Sequence, residues 1–372
     1  MSANELKYYL IAGEASGDLH ASHLMAALKR RSPELRFRGW GGERMEAQGM
    51  ELVTHYHSMN FMGFFEVAAN IWSILGLMRQ CKSDLLSYKP DVLVLIDYPG
   101  FNLRMAEFAH KHGIRVVYYI SPQVWAWKKN RIVKIRKFVD QMLVILPFEK
   151  DFYAENGMEV EFVGHPLLDE LQSMTFPSRV DFLARHELDD RPIIALLPGS
   201  RSSEIKTLLP TMTSLASHYP NYQLVIAGRT GMEYPPDDCQ SVSLVRDHTY
   251  ALVHHAEVAV VASGTATLET ALLGTPQVVG YWMNPISFYL AKSMIQIKYI
   301  ALVNLICDRE VVTELIQNRF TRQHLIREID QLLEPKRRDH VAAEYAQLRV
   351  LLGDGGASER AAGCILGEKE AG

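Results

Sequence analysis

The strongest constraint on the fold is an alternation of short apolar runs with helix-length segments. The first half of the chain carries such runs at residues 8–12, 92–97, 116–120, 142–146 and 160–163. Runs of this length, rich in Val, Ile and Tyr, are typical of strands that are buried on both faces. Because helix-length segments separate them, the pattern predicts βαβ units and a parallel sheet.

The same pattern restarts after a boundary region at residues 168–190. The second half carries apolar runs at residues 193–197, 224–227, 243–245, 258–262 and 277–280, and a helical stretch follows Phe320. The chain has 372 residues, and at roughly 150 residues per domain this length suggests two domains. We therefore predict an α/β protein with Rossmann-like domains over residues 1–170 and 171–345, followed by a helical segment over 346–372.

The overall charge excludes one class of function. Lys and Arg number 39 against 43 Asp and Glu, a net charge of -4, which does not suit a global electrostatic grip on nucleic acid. The four cysteines form no CxxC pair, so a zinc ribbon or a redox dithiol is not expected. The N-terminal segment lacks the long apolar stretch of a secretory signal, so we expect a cytoplasmic protein.

One segment, residues 61–78 (FMGFFEVAANIWSILGLM), is unusually apolar. Its single charge, Glu66, lies near the middle and argues against a membrane-spanning helix. Two interpretations stay open: a buried core helix, or a helix that lies on a membrane surface or lines a lipid site. In the second interpretation the inserted side chains include Phe61, Phe64, Phe65 and Trp72.

Polar residues follow two of the predicted strands in the first half. Glu14, Ser16 and Asp18 lie in the loop after residues 8–12, in a sequence (GEASGD) that is not the G-x-G-x-x-G dinucleotide fingerprint. Asp97 ends the second apolar run, where a carboxylate can act as a general base. The alternative in both places is a turn or helix cap without a ligand.

A basic cluster follows the third run. Trp125 and Trp127 precede six cationic residues: Lys128, Lys129, Arg131, Lys134, Arg136 and Lys137. The cluster suits a phosphate group or an anionic membrane surface, although a solvated helix face would look the same.

Two turns in the second half suit a nucleotide diphosphate. The first is Gly199-Ser200-Arg201, and Arg229 follows the next apolar run. The second turn opens a helix and contains the residues Ser263, Gly264, Thr265, Ala266, Thr267 and Glu269. Backbone N–H groups at a helix start favour a pyrophosphate, and a carboxylate one turn later suits a ribose diol. Capped helices without a ligand are the alternative.

The joint set of motifs resembles the lipid-A-disaccharide synthases. These motifs are GEASGD at 13–18, SPQVWAW at 121–127, LPFE at 146–149, GHP at 164–166, LPGSR at 197–201 and ASGTATLE at 262–269. The resemblance implies a GT-B fold, in which two Rossmann-like domains face each other across a cleft and a C-terminal helix returns to the first. Residues 1–170 would form the acceptor and membrane-facing domain, and residues 171–345 the domain that binds the UDP-sugar donor.

The same resemblance implies an inverting, metal-independent glycosyltransferase without a cofactor. Its substrates would be UDP-2,3-diacylglucosamine and 2,3-diacylglucosamine 1-phosphate, and its products UDP and the β-1,6-linked lipid A disaccharide 1-phosphate. It would work at the cytoplasmic face of the inner membrane of Gram-negative bacteria, as a peripheral protein on that anionic surface. A homodimer is left open.

The chain departs from the family pattern in the loop that begins at Asp97. Some members carry a second aspartate there, where this chain has Gly100. Asp97 is then the better candidate for the base, with Glu14 and Asp18 as rivals. Asn304, in the stretch Leu302-Val303-Asn304, is carried over as a donor-site residue. His165 is either a hinge residue satisfied by the backbone or a substrate contact.

Two other functions fit parts of the sequence. One is a different GT-B enzyme that acts on a UDP-sugar, such as a 2-epimerase or a murein-precursor transferase. The other is a peripheral membrane scaffold that retains a sugar-nucleotide fold without activity. A scaffold has no need to keep Arg201, Thr265 and Glu269 together.

Overall fold

The computed structural model describes residues 6–59, 71–126, 131–235, 242–284, 288 and 297–368. The chain divides into two compact units. Unit 1 comprises Met1–Asp169 and Gly355–Gly372, and unit 2 comprises Glu170–Asp354.

Unit 1 is built on a seven-stranded parallel sheet with the order β3-β2-β1-β4-β5-β6-β7. Its strands are β1 (Lys7–Ala12), β2 (Arg36–Gly41), β3 (Glu51–His55), β4 (Val92–Ile96), β5 (Arg115–Tyr119), β6 (Gln141–Val144) and β7 (Glu161–Phe162). The helices that connect them are α1 (Ala15–Arg31), α2 (Glu43–Ala47), α3 (Ile71–Tyr88), α4 (Pro99–Lys111), α5 (Arg131–Phe138), α6 (Pro147–Glu155) and α7 (Pro166–Ser173), the last of which runs into unit 2.

Unit 2 repeats this plan with a six-stranded parallel sheet in the order β10-β9-β8-β11-β12-β13. Its strands are β8 (Ile193–Leu197), β9 (Gln223–Gly228), β10 (Ser243–Arg246), β11 (Ala256–Ala262), β12 (Gln277–Tyr281) and β13 (Thr313–Ile316). Its helices are α8 (Arg179–Arg185), α9 (Ser202–Thr213), α10 (Thr249–His254), α11 (Thr265–Leu272), α12 (Leu302–Cys307), α13 (Arg322–Leu333) and α14 (Pro335–Leu352). The predicted fold class is therefore confirmed.

The central strands are apolar throughout because helices cover both faces of each sheet. In β1, Tyr9 and Ile11 belong to one hydrophobic core, whereas Tyr8 and Leu10 belong to the core on the opposite face. This alternation is the two-residue period of a strand. A continuous apolar run is the sequence signature of that environment.

The sequence reasoning missed the strands β2, β3 and β13. These strands carry charged residues, and β3 and β13 lie at sheet edges. In unit 1, Arg38 of β2 pairs with Glu51 of β3 and also with Asp84 of α3. An edge strand does not require a continuous apolar run, so the apolar pattern did not identify these residues as a strand.

Each sheet reverses its strand order at one place, between β1 and β4 in unit 1 and between β8 and β11 in unit 2. Open α/β sheets bind ligands beyond the carboxyl ends of the strands at such a switch point. The loops that follow these four strands begin at Gly13, Asp97, Pro198 and Ser263. They are the loops in which the sequence placed its candidate acids and its two anion-type turns.

The C-terminal helix α15 (Ala357–Leu366) belongs to unit 1 and packs against α1. Its end is fixed by Arg115 of β5, which donates from Nη1 to the carbonyl of Ile365 over 2.8 Å. Its start is fixed by Asp169, whose carboxylate accepts the backbone N–H of Ser358 over 3.2 Å. Among the helices that the structure describes, none has both the length and the apolar character required to cross a bilayer.

Candidate active site

Glu14 and Asp97 meet at the switch point of unit 1. The paired residues Ala12 and Ile96 end the adjacent strands β1 and β4, so the side chains that follow converge. They line a small cavity of about 10 Å³ together with Gly13, Ser16, Gly17, Ile96 and Tyr98. A cavity of this size holds a hydroxyl group or a water molecule rather than a whole sugar.

The backbone around Asp97 is held in an uncommon conformation. Asp97 has φ 43° and Tyr98 has φ 47°, a left-handed pair that costs roughly 1–3 kcal/mol per non-glycine residue. The carbonyl of Asp97 accepts hydrogen bonds from the Tyr118 hydroxyl (2.6 Å) and from Nδ2 of Asn102 (2.8 Å). These bonds hold the turn in place and thereby set the direction of the Asp97 carboxylate.

The aromatic ring of Tyr98 closes this turn against the loop after β1. A Cβ atom on Gly13 would lie 2.4 Å from the Tyr98 ring, so only glycine permits this contact. The Tyr98 hydroxyl donates to the carbonyl of Met59 over 2.6 Å. The two loops that carry Glu14 and Asp97 are therefore packed as one layer.

The environment of Asp97 makes it a stronger base than an ordinary aspartate. Surrounding protein atoms on its inner side and the negative charge of Glu14 raise the pKa of Asp97 to about 6, although its outer edge is open to solvent. A group with a pKa just below the working pH is ionised and still binds a proton well. This is the combination that a general base requires.

Asp18, the third candidate acid, has a structural task. It is buried, and its carboxylate accepts the backbone N–H groups of Gly42 (2.7 Å), Arg44 (3.2 Å) and Met45 (3.2 Å). These groups lie at the start of α2, where a carboxylate caps the helix. A proton-transfer role would require Asp18 to give up these contacts.

His165 is likewise engaged with the backbone. Its Nδ1 accepts the N–H of Leu167 over 3.2 Å at the start of α7. Burial lowers the pKa of His165 to about 3, and the neighbouring His20 contributes in the same direction. The neutral ring therefore acts as a helix cap, as the first of the two interpretations expected.

The residues predicted to meet lipid or the acceptor lie in different environments. Trp72 is 79% exposed, near the start of α3, and Ser16 is exposed in the first turn of α1. Arg131 is half-buried at the start of α5. Trp125 is buried, and its indole N–H donates to Oε1 of Glu149; its contact with the acceptor or a lipid stays a prediction. The remaining predicted residues lie outside the described part of the chain: Phe61, Phe64, Phe65, Trp127, Lys128 and Lys129.

In unit 2, the first predicted anion turn is already bound by a carboxylate of the chain itself. Oε2 of Glu204 accepts the backbone N–H groups of Ser200 (3.0 Å) and Arg201 (3.2 Å). Gly199 has φ 107°, and a Cβ at this position would collide with Glu204. The Arg201 side chain is exposed and lies 3.3 Å from Oε1 of Glu204, so its guanidinium is held at the rim of the turn.

The second turn differs because no side chain caps it. The N-cap residue of α11 is Gly264, which has no side chain to cap the helix, so the N–H groups of Thr265 and Ala266 stay available to an anion. Thr265 is exposed, Ser263 and Ala266 are half-buried, and the buried Thr267 donates to the carbonyl of Gly264 over 2.8 Å. This turn fits a pyrophosphate better than the turn at Gly199.

Glu269 lies one turn further along α11, in a cluster of acidic groups. Burial and the negative charge of Glu170 raise the pKa of Glu269 to about 7, while a hydrogen bond with Tyr250 has the opposite effect. The two carboxylates share the Tyr250 hydroxyl. A diol that donates two hydrogen bonds would stabilise the ionised form of Glu269.

Two further donor-site candidates have different surroundings. Arg229 is exposed directly after β9. Asn304 is fully buried, and its Oδ1 accepts from the backbone N–H groups of Val311 and Val312 at 2.8 and 2.9 Å. Its Nδ2 donates to the Val312 carbonyl and to Glu314. This amide makes all four of its hydrogen bonds within the protein, so contact with a donor would break one of them.

Among the described residues, one group has the side chains to hold a metal ion: Glu43, His55 and His57, whose ligand atoms lie within 4.8 Å of one another. The backbone N–H of His57 donates to Nδ1 of His55, so a neutral His55 ring carries its proton on Nε2 and cannot bind a metal through that atom. Nε2 lies 3.1 Å from Glu43, off the direction of a hydrogen bond. The Glu43 carboxylate is therefore in polar contact with a neutral His55 ring.

Two glutamates of the site regions escaped the sequence reasoning. Glu204 stands three residues after the N-cap Arg201, and Glu149 stands three residues after the N-cap Leu146. A Glu at this spacing is only half of the capping-box signal, because Arg201 and Leu146 are not capping residues, so the pattern would not have identified either glutamate. The contacts of Glu149 with Trp125 could not be found in this way because they join different loops.

The paired α/β sheets, with polar loops at both switch points, define a protein of the GT-B fold. The crystal structure of UDP-GlcNAc 2-epimerase from Neisseria meningitidis is similar with a TM-score of 0.66, at 14% identity, and the match covers 98% of this chain and 100% of that one. The glycosyltransferase of kitacinnamycin matches with a TM-score of 0.63, at 15% identity, over 98% and 96% of the two chains. At such identities the likeness concerns the fold alone.

Sequence relatives define the particular family. Residues 8–365 match the family described as lipid-A-disaccharide synthetase. The lipid-A-disaccharide synthase of Syntrophus aciditrophicus is 43% identical over 366 residues, 95% of each chain, and that of Geobacter metallireducens is 38% identical over 377 residues, 98% of each. The chain belongs to the lipid-A-disaccharide synthase family and is a glycosyltransferase of lipid A biosynthesis. The epimerase and murein-precursor alternatives are not favoured.

Proposed function

We propose that this enzyme transfers 2,3-diacylglucosamine from UDP to the 6-hydroxyl of 2,3-diacylglucosamine 1-phosphate, with Asp97 as the base. The observation that carries this proposal is the position of Asp97 beside Glu14, in a rigid turn at the switch point of unit 1 that raises the pKa of its carboxyl to about 6. Family membership supplies the reaction class, and the chemistry of the carboxylate supplies its role.

In the reaction, the Asp97 carboxylate takes the proton of the acceptor 6-hydroxyl as its oxygen attacks the anomeric carbon of the donor. The bond from that carbon to the UDP oxygen breaks, and its electron pair leaves with UDP. Attack from the side opposite to UDP inverts the anomeric centre and gives the β-1,6 linkage. Glu14 keeps the pKa of Asp97 raised, so the proton is accepted more readily.

The departing UDP gains negative charge, which unit 2 is suited to stabilise. The uncapped start of α11 supplies N–H groups for the pyrophosphate. The exposed guanidiniums of Arg201 and Arg229 supply positive charge without a metal ion. Glu269 accepts hydrogen bonds from the ribose diol.

Acylated substrates and a membrane surface explain the apolar start of α3. Trp72 is 79% exposed and Leu75 is 37% exposed, an arrangement that suits a helix lying in the lipid–water interface. We propose a peripheral enzyme on the cytoplasmic side of the inner membrane, where the basic residues after Trp125 meet anionic lipid headgroups or the acceptor phosphate.

The direct test is a UDP-release assay with purified enzyme. UDP should form only when both acylated sugars are present, and the lipid product should be a disaccharide 1-phosphate by mass spectrometry. The proposal is refuted if that substrate pair yields no UDP, or if the UDP-sugar alone is converted to its 2-epimer.

A further inference from the structure

A buried carboxylate outside the proposed proton-transfer site links two loops at the carboxyl edge of the unit 1 sheet. Glu149 is 1% exposed and lies in the first turn of α6, after β6. Oε2 accepts the backbone N–H of Leu146 over 3.0 Å. Oε1 accepts the indole N–H of Trp125 over 3.2 Å, in the loop that follows β5.

Further contacts tie the same loop to α6. The Ser121 hydroxyl lies 2.8 Å from the Tyr153 hydroxyl and also bonds with Glu149. The ring of Phe148 meets the ring of Trp125 edge-on, with centroids 5.0 Å apart. The loop comprises residues 121–126, which are buried apart from Gln123. The contacts with α6 therefore form the buried side of this loop.

This loop follows β5, whose last two residues hold the Asp97 turn. The N–H of Asp97 donates to the carbonyl of Tyr119, at the end of β5, over 3.3 Å. The Tyr118 hydroxyl donates to the carbonyl of Asp97. Two residues after Tyr119 the chain reaches Ser121, and it continues through Trp125 towards Arg131. A displacement of the loop therefore acts on the surroundings of Asp97.

A helix cap alone does not account for Glu149. The capping interaction with Leu146 uses only one carboxylate oxygen, and a glutamine could supply it. Burial raises the pKa of Glu149 to about 7, which is an unfavourable setting for a carboxylate. The second carboxylate oxygen, Oε1, accepts the indole N–H of Trp125 and so binds the loop 121–126. Trp125 itself is buried.

We propose that Glu149 is a positioning residue for the acceptor, which orders the loop 121–126 beside Asp97 through Trp125 and Ser121. The inference rests on the proposed function, in which unit 1 binds the acceptor. It adds a residue that touches neither substrate nor the transferred proton. The donor, assigned to unit 2, should not respond to its loss.

The test compares steady-state kinetics of Glu149→Gln, Trp125→Phe and the double variant. The amide of glutamine offers one acceptor oxygen, which we expect to stay on the Leu146 N–H as in a helix cap. Its NH₂ group then faces the Trp125 N–H, and the contact with Trp125 is lost. In each single variant we expect the KM for the acceptor to rise about tenfold, as for the loss of one hydrogen bond to a charged group. The KM for the donor and the affinity for UDP should stay unchanged.

Because both substitutions remove the same contact, the double variant should be no worse than Glu149→Gln alone. Glu155→Gln is the matched control, since Glu155 is exposed at the end of the same helix, and its kinetics should equal those of the unaltered enzyme. If Glu149→Gln does not fold, Trp125→Phe tests the contact by itself.

An unchanged KM for the acceptor in the folded variants would overturn the proposal, even if kcat falls in step with the fraction of folded protein. Additive losses in the double variant would also overturn it. Failure of the wider proposal has a separate signature: Asp97→Asn would then retain turnover, whatever the outcome for Glu149.

Discussion

Replacement of Asp97 by Asn isolates the carboxylate from every other property of the turn. The contacts with Tyr118, Asn102 and Tyr119 involve the backbone carbonyl and N–H of residue 97, which the substitution retains. Asn also tolerates the left-handed conformation at φ 43°. The variant should therefore fold normally, whereas alanine would add backbone strain.

The magnitude follows from the proposed role. Loss of a general base typically lowers turnover by about 10²–10⁴. UDP affinity should stay unchanged, since the donor turns belong to unit 2. The base works only when it is ionised, so in the unaltered enzyme kcat/KM should fall as the pH drops through about 6, the raised pKa of Asp97.

A second substitution probes the cause of the raised pKa. Glu14→Gln removes the neighbouring negative charge, which should lower the pKa of Asp97 and move the acidic limb of the profile to lower pH. UDP release by both variants is measured across pH 5 to about 8, the range in which a perturbed carboxylate is resolved. Near-normal turnover of Asp97→Asn would refute the assignment, and an unmoved limb in Glu14→Gln would refute the electrostatic reasoning.

Three further outcomes are expected. Arg201→Ala should weaken UDP binding about tenfold through loss of a charge-assisted hydrogen bond, and equal affinity by calorimetry would remove Arg201 from the donor site. Trp72→Glu should reduce flotation of the enzyme with anionic vesicles. The control Val350→Glu, at a residue of α14 that is 78% exposed, should float like the unaltered enzyme. Equal flotation of both variants would contradict membrane docking through α3. His165→Asn should lose less stability in acid than the unaltered enzyme. The pKa of His165 is lowered to about 3 in the native protein. Below a pH of about 6.5, the unfolded chain therefore binds a proton at this residue and the native protein does not. The native enzyme therefore loses stability as the pH falls, by about 3 kcal/mol at pH 4, and the variant, which keeps an acceptor for the N–H of Leu167, avoids this loss. Denaturant unfolding at pH 4 and 7 measures the difference, and an equal loss in both proteins would contradict it.

Sequence patterns predicted the strands best where an unbroken apolar run lies in the interior of a sheet. The run at 193–197 coincides with β8, and that at 92–97 with β4 and the residue after it. Both strands lie inside a sheet, where burial on both faces demands an unbroken apolar run. The edge strands β3 and β13 escaped detection because each contains a charged residue, Glu51 or Glu314, that interrupts the apolar run.

In the candidate site, too, the sequence identified some residues, whereas other contacts are visible only in the structure. Asp97 and Glu14 were identified because each directly follows an interior strand, and adjacent parallel strands bring such residues together. For Trp125, the neighbouring basic cluster predicted a contact with the acceptor or a membrane, but it could not reveal that the indole N–H bonds with Glu149 inside the fold. Asp18 and the Oδ1 atom of Asn304 accept backbone N–H groups, which no side-chain pattern identifies.

The sequence by itself determined the two parallel sheets, the loops that carry chemistry and the family. Strand periodicity and strand-end motifs are local properties of the chain, so they are legible without coordinates. Tertiary structure alone decided which polar groups are free for substrate and which are used within the protein. Glu204, Asn304 and Asp18 are engaged by backbone groups, while Asp97 acquires its raised pKa from the protein atoms on its inner side and from Glu14. Burial, charge and hydrogen bonding depend on residues distant in sequence, and only the folded chain brings them together.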